Sequence, residues 1–547
     1  MLGTSSQFLV PLVGTLAAYI LFELAKALHE ELTSPLRNLP GPKGAYPLIG
    51  HMKHMNACRS LTVSVAFSPS LQDDVTLTHN WREMFGTNFQ FRGLFNKREL
   101  FTSDTRALTY ILAHDRLYQK GPTAERVVRE LLGGGLLSVE GEEHKRHNPA
   151  FGIPQLRDQT QIFNEKAIQL RDIWAQHLAS NPTDSRIDIY AGLRKMTLDV
   201  IGLAGFNYNF NALDPKPEGG KNELEEAFAQ LLQSPISGIL RALFPIIRLV
   251  VYFPDIRTRR NGALMLAIAH QLLTESKAAA VSDNSSFGES GMSQTNCDLL
   301  SIMVKANMSE DIPEDQRLTD AEVVAQIPTF FLAGHETSST ATAWTLYALS
   351  QHISVQTKLR QELFSMQTEH PSMDELNSLP YLESVVRESM RLHSPVEYTV
   401  RQAMADDILP LRKPCLDRYG QAYSSIPVRK GTVIHIPIAC VHYDKEIWGE
   451  DAEEFRPERW NNLPEAVTSI PGVWANLLTF IAGPHNCIGF RFSIVEIKAL
   501  LFVLVRAFEF GPAGDIGYTS TPVKKPFLKG EREKGGQLPL IVHPYQT

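Results

Sequence analysis

No Cys-x-x-Cys pair occurs in this chain, and its five cysteines (Cys58, Cys297, Cys415, Cys440 and Cys487) are odd in number and scattered. That pattern excludes a disulfide framework and a structural zinc site, and it fits a reducing compartment. Basic charge is not in excess: 53 Lys and Arg against 60 Asp and Glu leave a net charge of −7, so nothing points to a nucleic-acid partner. No Gly-x-Gly-x-x-Gly follows a strand pattern, which excludes a built-in flavin or nicotinamide fold. Internal repeats are missing as well. What is present is ordinary for a globular body, with 43% hydrophobic and 21% charged residues over 547 positions. That balance excludes a disordered, collagen-like or multi-span membrane chain.

Charge is also lacking from Met1 to Phe22, where an apolar run begins at Phe8. As a helix, ~22 residues would span ~33 Å, enough for a hydrocarbon core. Pro11 and Gly14 are tolerated in membrane helices. A cleaved signal peptide and a short buried helix are the alternatives; no basic residue precedes the run, and no small-residue cleavage site closes it. Lys26, Arg37 and Lys43 follow the run, so the positive-inside bias leaves the body in the cytoplasm. The expectation is an anchor over 1–28, a Pro/Gly-rich hinge over 29–50 around Leu39-Pro-Gly-Pro-Lys-Gly44, and a catalytic body over 51–547. Glycans at the sequons of Asn284 or Asn307 would reverse that orientation.

Helical patterns dominate the body, as over Asn164–Leu178, Leu224–Leu232 and Val355–Met366. Short β-prone pieces lie at Leu100–Thr102, Val428–Ile436 and Leu538–His543, and Val281–Asn296 reads as an exposed Ser/Gly/Asn-rich loop. The fold class is mainly α with small β-sheets. Its most informative helix starts at Thr319, where Thr319 and Glu322 have capping-box spacing. The pattern continues to about Gln351, through an apolar centre interrupted by His335, Glu336, Thr337, Ser338 and Ser339. A helix this long and apolar crosses the core, and buried polar groups halfway along it need partners.

The residues from Phe480 to Ser493 form a Gly/Pro-rich loop that ends in a cysteine just before a strong helix pattern. A lone cysteine is more often an inert buried thiol. Here the helix dipole and nearby backbone N–H groups favour a thiolate at Cys487. Gly483 and Gly489 permit unusual backbone geometry and close approach of a flat ligand, and Phe480 is placed to shield one side.

This loop resembles the haem-thiolate loop of the cytochrome P-450 family, on Phe480, Gly483, His485, Cys487 and Gly489. The family more often has arginine where His485 stands. Glu388 and Arg391 resemble its Glu-x-x-Arg helix, with both side chains on one face. Phe455 to Trp460 resembles the segment whose arginine, here Arg459, completes a structural network with that pair. Ala333 to Thr337 resembles the oxygen-activation segment. Four motifs stand in the family's order over roughly the last 230 residues, and the resemblance extends over everything after Leu39.

The resemblance implies a cytochrome P-450 fold preceded by one membrane-anchor helix, binding haem b with Cys487 as the axial ligand of iron. Ala333 and Gly334 would leave space for dioxygen and substrate. Thr337 would meet the oxygen, and Glu336 would deliver protons through water. His335 is read as structural. Arg401 stands where the family often binds a haem propionate. The implied activity is insertion of one atom of dioxygen into a hydrophobic substrate, with electrons from NADPH through a separate reductase and cytochrome b5 as a further donor. The implied place is the endoplasmic reticulum membrane, single-pass and facing the cytoplasm, with a role in secondary metabolism.

Two stretches depart from the family. Gly141 to Phe151 resembles its haem-contacting helix, with His144 in the first position, but about one turn, including the usual propionate-binding arginine, is missing before Asn148; Arg146 would substitute. Cys58 to Thr78 reads as inserted material. The alternatives are a haem-thiolate dehydratase or isomerase, which would be expected to lose Glu336 and Thr337, and a haem-binding sensor or inactive remnant, favoured only by the shortened segment. Lys120–Leu136, Leu203–Arg248 and Pro395–Val400 are the expected recognition regions, and their apolar content specifies only a hydrophobic ligand.

Overall fold

The computed structural model describes residues 74–146, 152–214, 256–285, 298–309, 317–520 and 523–546, with parts of 14–51 and positions 311 and 313. Twelve strands are named among them. They are β1 Asn88–Arg92, β2 Arg98–Thr102, β3 Tyr118–Gln119, β4 Arg186–Asp188, β5 Thr399–Ala403, β6 Asp407–Leu416, β7 Ala422–Val428, β8 Val433–Ile436, β9 Phe508–Pro512, β10 Ile516–Ser520, β11 Lys524–Leu528 and β12 Pro539–Pro544. The helices that place the site are α1 Gly141–Arg146, α2 Ile153–Ser180, α3 Ile189–Phe206, α4 Ile256–Ser285, α5 Asp320–Gln351, α6 Ile353–Leu363, α7 Pro380–Leu392 and α8 Phe490–Ala507. The architecture is mainly helical with small sheets.

The largest sheet has the order β1-β2-β8-β5-β3, antiparallel except for the β2–β8 pair. Arg401 on β5 stands opposite Ile434 on β8. β12 lies between β4 and β9, and two hairpins, β6–β7 and β10–β11, stand apart. Alternating residues of the large sheet are buried, as at Phe89, Phe91, Leu100, Ile434 and Ile436.

Helix α5 crosses the core because almost every face of it is apolar or small. Its cap is the expected box: Glu322 N donates to Thr319 Oγ1 at 3.2 Å, and Thr319 N donates to Glu322 Oε2 at 2.7 Å. Pro328, in its third turn, gives up one ladder bond without ending the helix. Against α5 lies α3, held close by a glycine. A Cβ on Gly334 would come within 2.7 Å of Ile201 Cδ1. The hydroxyls of Thr342 and Thr345 fold back onto carbonyls one turn earlier, so the helix satisfies much of its own buried polarity.

Several expected elements shift. The Asn164–Leu178 helix lies within α2, whereas the 224–232 pattern falls outside the described residues. The Val355–Met366 helix ends at Leu363, because the next N–H groups tighten into bonds from Ser365 to Glu362 and Met366 to Leu363. The expected strand Val428–Ile436 is two strands, β7 and β8, separated by a turn in which Gly431 has φ +89°. Of the loop expected over Val281–Asn296, the part to Ser285 is helical, since α4 continues there from the helix-forming Ala278–Ala280 run, and 286–296 lie outside the described residues. Asp74–Thr78 of the expected insertion forms the first turn of a helix to Phe85; residues 58–73 lie outside the described ones. Most of the expected anchor also lies outside them, and no described helix is long and apolar enough to cross a membrane.

The Glu388–Arg391–Arg459 network forms as expected. Arg391 meets Glu388 in a fork at 2.9 and 2.8 Å and also donates to the carbonyls of His442, Ala452 and Glu454. Arg459 Nε donates to Glu388 Oε1 at 3.2 Å, and Trp460 Nε1 to Oε2 at 3.1 Å. Glu388 and Arg391 are fully buried, so each charge depends on the others. Glu388→Ala leaves two guanidinium groups buried without their carboxylate. It should cost about 3–5 kcal/mol, read as a fall in the denaturation midpoint.

Candidate functional site

The loop before α8 is shaped by one glycine. Gly483 has φ +75°, and a Cβ there would fall 2.0 Å from Leu112 O. Only glycine allows the chain to turn against that backbone. The turn brings Cys487 N to within 2.9 Å of Phe480 O, and Phe480 is buried between Trp474 and Phe490. Gly489 differs from the expectation of unusual geometry. Its φ is an ordinary −87°, and nothing lies within 4 Å of the position a Cβ would take. Its smallness therefore keeps space open beside the thiol rather than permitting a turn.

Cys487 retains accessible surface although it lies deep within the molecule, so that surface lines an internal cavity. The expected thiolate is not what the protein alone favours. Burial pushes the thiol up to about 11, and the Gly489 N–H only partly offsets it. The helix begins at Phe490, and its cap residue Gly489 supplies that N–H. A bound cation at the sulfur would reverse this balance, because a coordinating thiol is deprotonated outright.

The centre of α5 converges on the same region, since Ser338 Oγ lies 3.3 Å from Ser493 Oγ at the start of α8. Ala333 is exposed halfway along an otherwise buried helix, as expected for a residue bordering a cavity. Gly334 is not: Ile201 occupies the place of its missing side chain, so it serves helix packing rather than space for oxygen. Thr337 Oγ1 donates to Ala333 O at 2.6 Å. His335 is buried and held neutral, lowered to about 4 by burial, and its carbonyl accepts from Thr197 Oγ1. It is structural, as read from the sequence.

Glu336 is buried and ionised. Burial would raise its carboxyl, but Lys525, His335 and Arg194 together hold it below the usual range. Lys525 Nζ lies 2.6 Å from Oε2 and Arg194 Nη2 3.5 Å from Oε1. Neither cation was legible in the sequence, because one is on α3 and the other nearly 190 residues along on β11.

A second cluster gathers around His485. Its ring lies 4.1 Å from that of His144 on α1, and its Nε2 is 2.9 Å from Glu140 Oε2, close but not aligned as a hydrogen bond. Lys120, unforeseen from sequence, donates its backbone N–H to Glu140 and its Nζ to Leu137 O; burial lowers it to about 8. Arg401 is 5% exposed, and the acceptors of its guanidinium are Thr399 Oγ1 and Val400 O, both neutral. Arg146 ends α1, and its side chain is outside the described residues.

These residues fit haem. The buried Arg401 guanidinium donates only to neutral acceptors, with the Glu140 carboxylate acting on it electrostatically, and His485 Nδ1 is buried without a partner. Such donors suit propionate carboxylates, and the Cys487 thiol suits a metal, which would bind it as the thiolate.

Glu496 on α8, also missed by the sequence reading, is fully buried. Burial pushes it up to about 8 despite the Ser338 hydroxyl beside it, so it is a neutral acid at pH 7.

Two glycine variants separate folding from loading. Gly483→Ala should destabilise the cofactor-free protein through its clash with Leu112 O. Gly489→Ala should leave thermal unfolding of that form nearly unchanged, yet lower haem retention. Calorimetry without haem and absorbance after reconstitution read the two effects.

The comparisons agree with this geometry. The family described as Cytochrome P-450 matches residues 77–519. The chain is similar to cytochrome P-450 monooxygenase 205 of Postia placenta, 47% identical with 94% of each chain covered. It is likewise similar to monooxygenase 128 of that fungus, 46% identical over 97% of this chain and 96% of the relative. Cytochrome P-450 monooxygenase claO of Ampulloclitocybe clavipes is 32% identical over 93% of each.

Proposed function

For a chain that belongs to the cytochrome P-450 family, and is by that membership a haem-binding monooxygenase and an oxidoreductase, we propose a reaction that hydroxylates or epoxidises a hydrophobic organic substrate. Electrons would come from NADPH through a separate reductase, with cytochrome b5 as a further donor. The cavity-lining thiol of Cys487 carries this reading. Haem b, held through its iron to that sulfur, supplies the electron-rich centre at which dioxygen is activated.

The chain's own residues do the rest. Cys487 would hold the iron as its thiolate, with Phe480 beside the loop that carries it. Arg401, Lys120 and His485 would hold the propionates, Arg401 and Lys120 supplying the positive charge that the shortened stretch after His144 lacks. Ala333 would leave room for substrate. The Thr337 hydroxyl is anchored at Ala333 O, where it can turn to donate toward the oxygen side. Glu336 exchanges protons with water and passes them toward Thr337. The presence of this pair favours oxygen insertion over the dehydratase and isomerase chemistry of other haem-thiolate proteins.

The uncharged apolar run from Met1 to Phe22 supports a single-pass anchor over 1–28 in the endoplasmic reticulum membrane, with a hinge over 29–50 and the body over 51–547 in the cytoplasm. Arg491 and neighbouring basic groups beside the Cys487 loop suit an acidic reductase surface.

The purified reduced protein should give the thiolate-ligated absorbance band with carbon monoxide, and Cys487→Ala should abolish it. A variant that keeps both its pigment spectrum and its turnover would refute the assignment. Thr337→Ala should keep that band but lower product formed per dioxygen consumed by about an order of magnitude or more, read by parallel oxygen-electrode and product assays.

A further inference from the structure

Two successive lysines on β11 each meet a different buried carboxylate. Lys524 Nζ lies 2.9 Å from Glu397 Oε1, with side chains 4% and 2% exposed. The rings of Tyr518 and Trp344 lie 4.3 and 5.5 Å from the same ammonium. Trp344 Nε1 donates to Lys524 O at 2.7 Å, and Lys524 N donates to Pro395 O at 2.8 Å. The hairpin β10–β11 is thereby fixed to α5 at Trp344 and to the segment between α7 and β5. From that fixed point the next side chain, Lys525, reaches Glu336, two turns before Trp344 on the same helix.

The two cations on Glu336 also stand between it and solvent. The Glu336 side chain is 3% exposed, whereas Lys525 is 25% and Arg194 32% exposed. A proton reaching this carboxylate from outside comes past them.

We propose that Lys525 is a positioning residue for Glu336: it holds the carboxylate ionised and drawn toward α3 and the hairpin, and this ion pair must open for Glu336 to take up a proton from water and pass it toward Thr337. The step rests on the monooxygenase reading above. The proton is drawn from bulk solvent: a water relays it to Glu336 and is reprotonated from outside, the O–H bond so formed breaks again as the proton moves toward Thr337, and the carboxylate returns to Lys525. Lys524 and Glu397 set where Lys525 stands, since the pair pins the backbone from which it extends.

The groups acting on Glu336 are Lys525 from β11, Arg194 and Tyr190 from α3, and His335 on its own helix. Tyr190 and His335 are neutral at pH 7: burial raises the first above the ordinary phenol range and lowers the second to about 4. The two cations therefore oppose the effect of burial. Because the folded carboxyl is depressed, the pair's contribution is present above the ordinary carboxylate range and is lost as pH falls through the folded value. Without Lys525, burial is opposed mainly by the more distant Arg194, and protonation moves to higher pH.

The test uses the haem-loaded full chain and infrared spectroscopy. The acid carbonyl band of Glu336 is assigned as the band that Glu336→Gln removes, and its appearance is followed against pH. In Lys525→Met the midpoint should rise by at least one pH unit relative to wild type, a tenfold change in proton affinity. Arg194→Gln should move it less, and Lys525→Arg should restore it. Turnover of Lys525→Met should show a changed pH profile of kcat with substrate binding, read by the haem spin-state shift, little altered. A midpoint that stays put in a folded Lys525→Met protein overturns the proposal. If that variant does not fold, Lys525→Gln and Arg194→Gln give the same comparison, and unchanged midpoints in both overturn it equally. Failure of the enzyme reading would look different: wild type would lack the thiolate band with carbon monoxide, whatever the infrared titration shows.

Discussion

A deeply set thiol whose ionisation burial opposes is the constraint around which the Phe480–Gly489 loop is arranged. Burial alone pushes Cys487 up to about 11, so its thiolate form needs a positive partner that the chain itself does not provide. The loop around it is built for that partner and not for the sulfur's own comfort. Gly483 turns the chain hard against Leu112 O, Phe480 O accepts from Cys487 N, and Gly489 leaves open the space where a side chain would intrude. The backbone turn places the sulfur, and the open space beside it is a separate property of the loop, so one can change without the other.

The remaining buried charges divide by function. Glu388, Arg391 and Arg459 satisfy one another and several carbonyls, forming a closed network behind the site. Lys524 and Glu397 form another closed pair, caged by aromatic rings. Arg401 differs, with only neutral acceptors, and so does the His485 Nδ1 atom, which has none. Closed networks hold the frame, and open donors face what the frame binds. Glu336 belongs to neither group: it is paired, but to cations that reach toward solvent, which suits a carboxylate that must change its protonation state.

Local sequence carried the haem loop, the capped long helix and the buried glutamate–arginine pair, because each depends on spacing within one turn or one helix. The same locality explains the errors. Glycine next to alanine on α5 read as space for oxygen, yet Gly334 is filled by Ile201 from another helix. Val428 to Ile436 read as one strand because β-prone residues flank a short turn at Arg429, Lys430 and Gly431, yet Val428 pairs with β6 and Val433 with β5.

By itself, then, the sequence determined the family, the glycine-rich loop around Cys487 and the neighbouring Glu336 and Thr337 on the core helix, since these are written in short, ordered motifs. Tertiary structure alone decided which charges meet them. Lys525 and Arg194 reach Glu336, and Lys120 and Glu140 gather near His485, from positions remote in the chain. Electrostatic partnership depends on distance and burial in three dimensions, and spacing along the chain encodes neither.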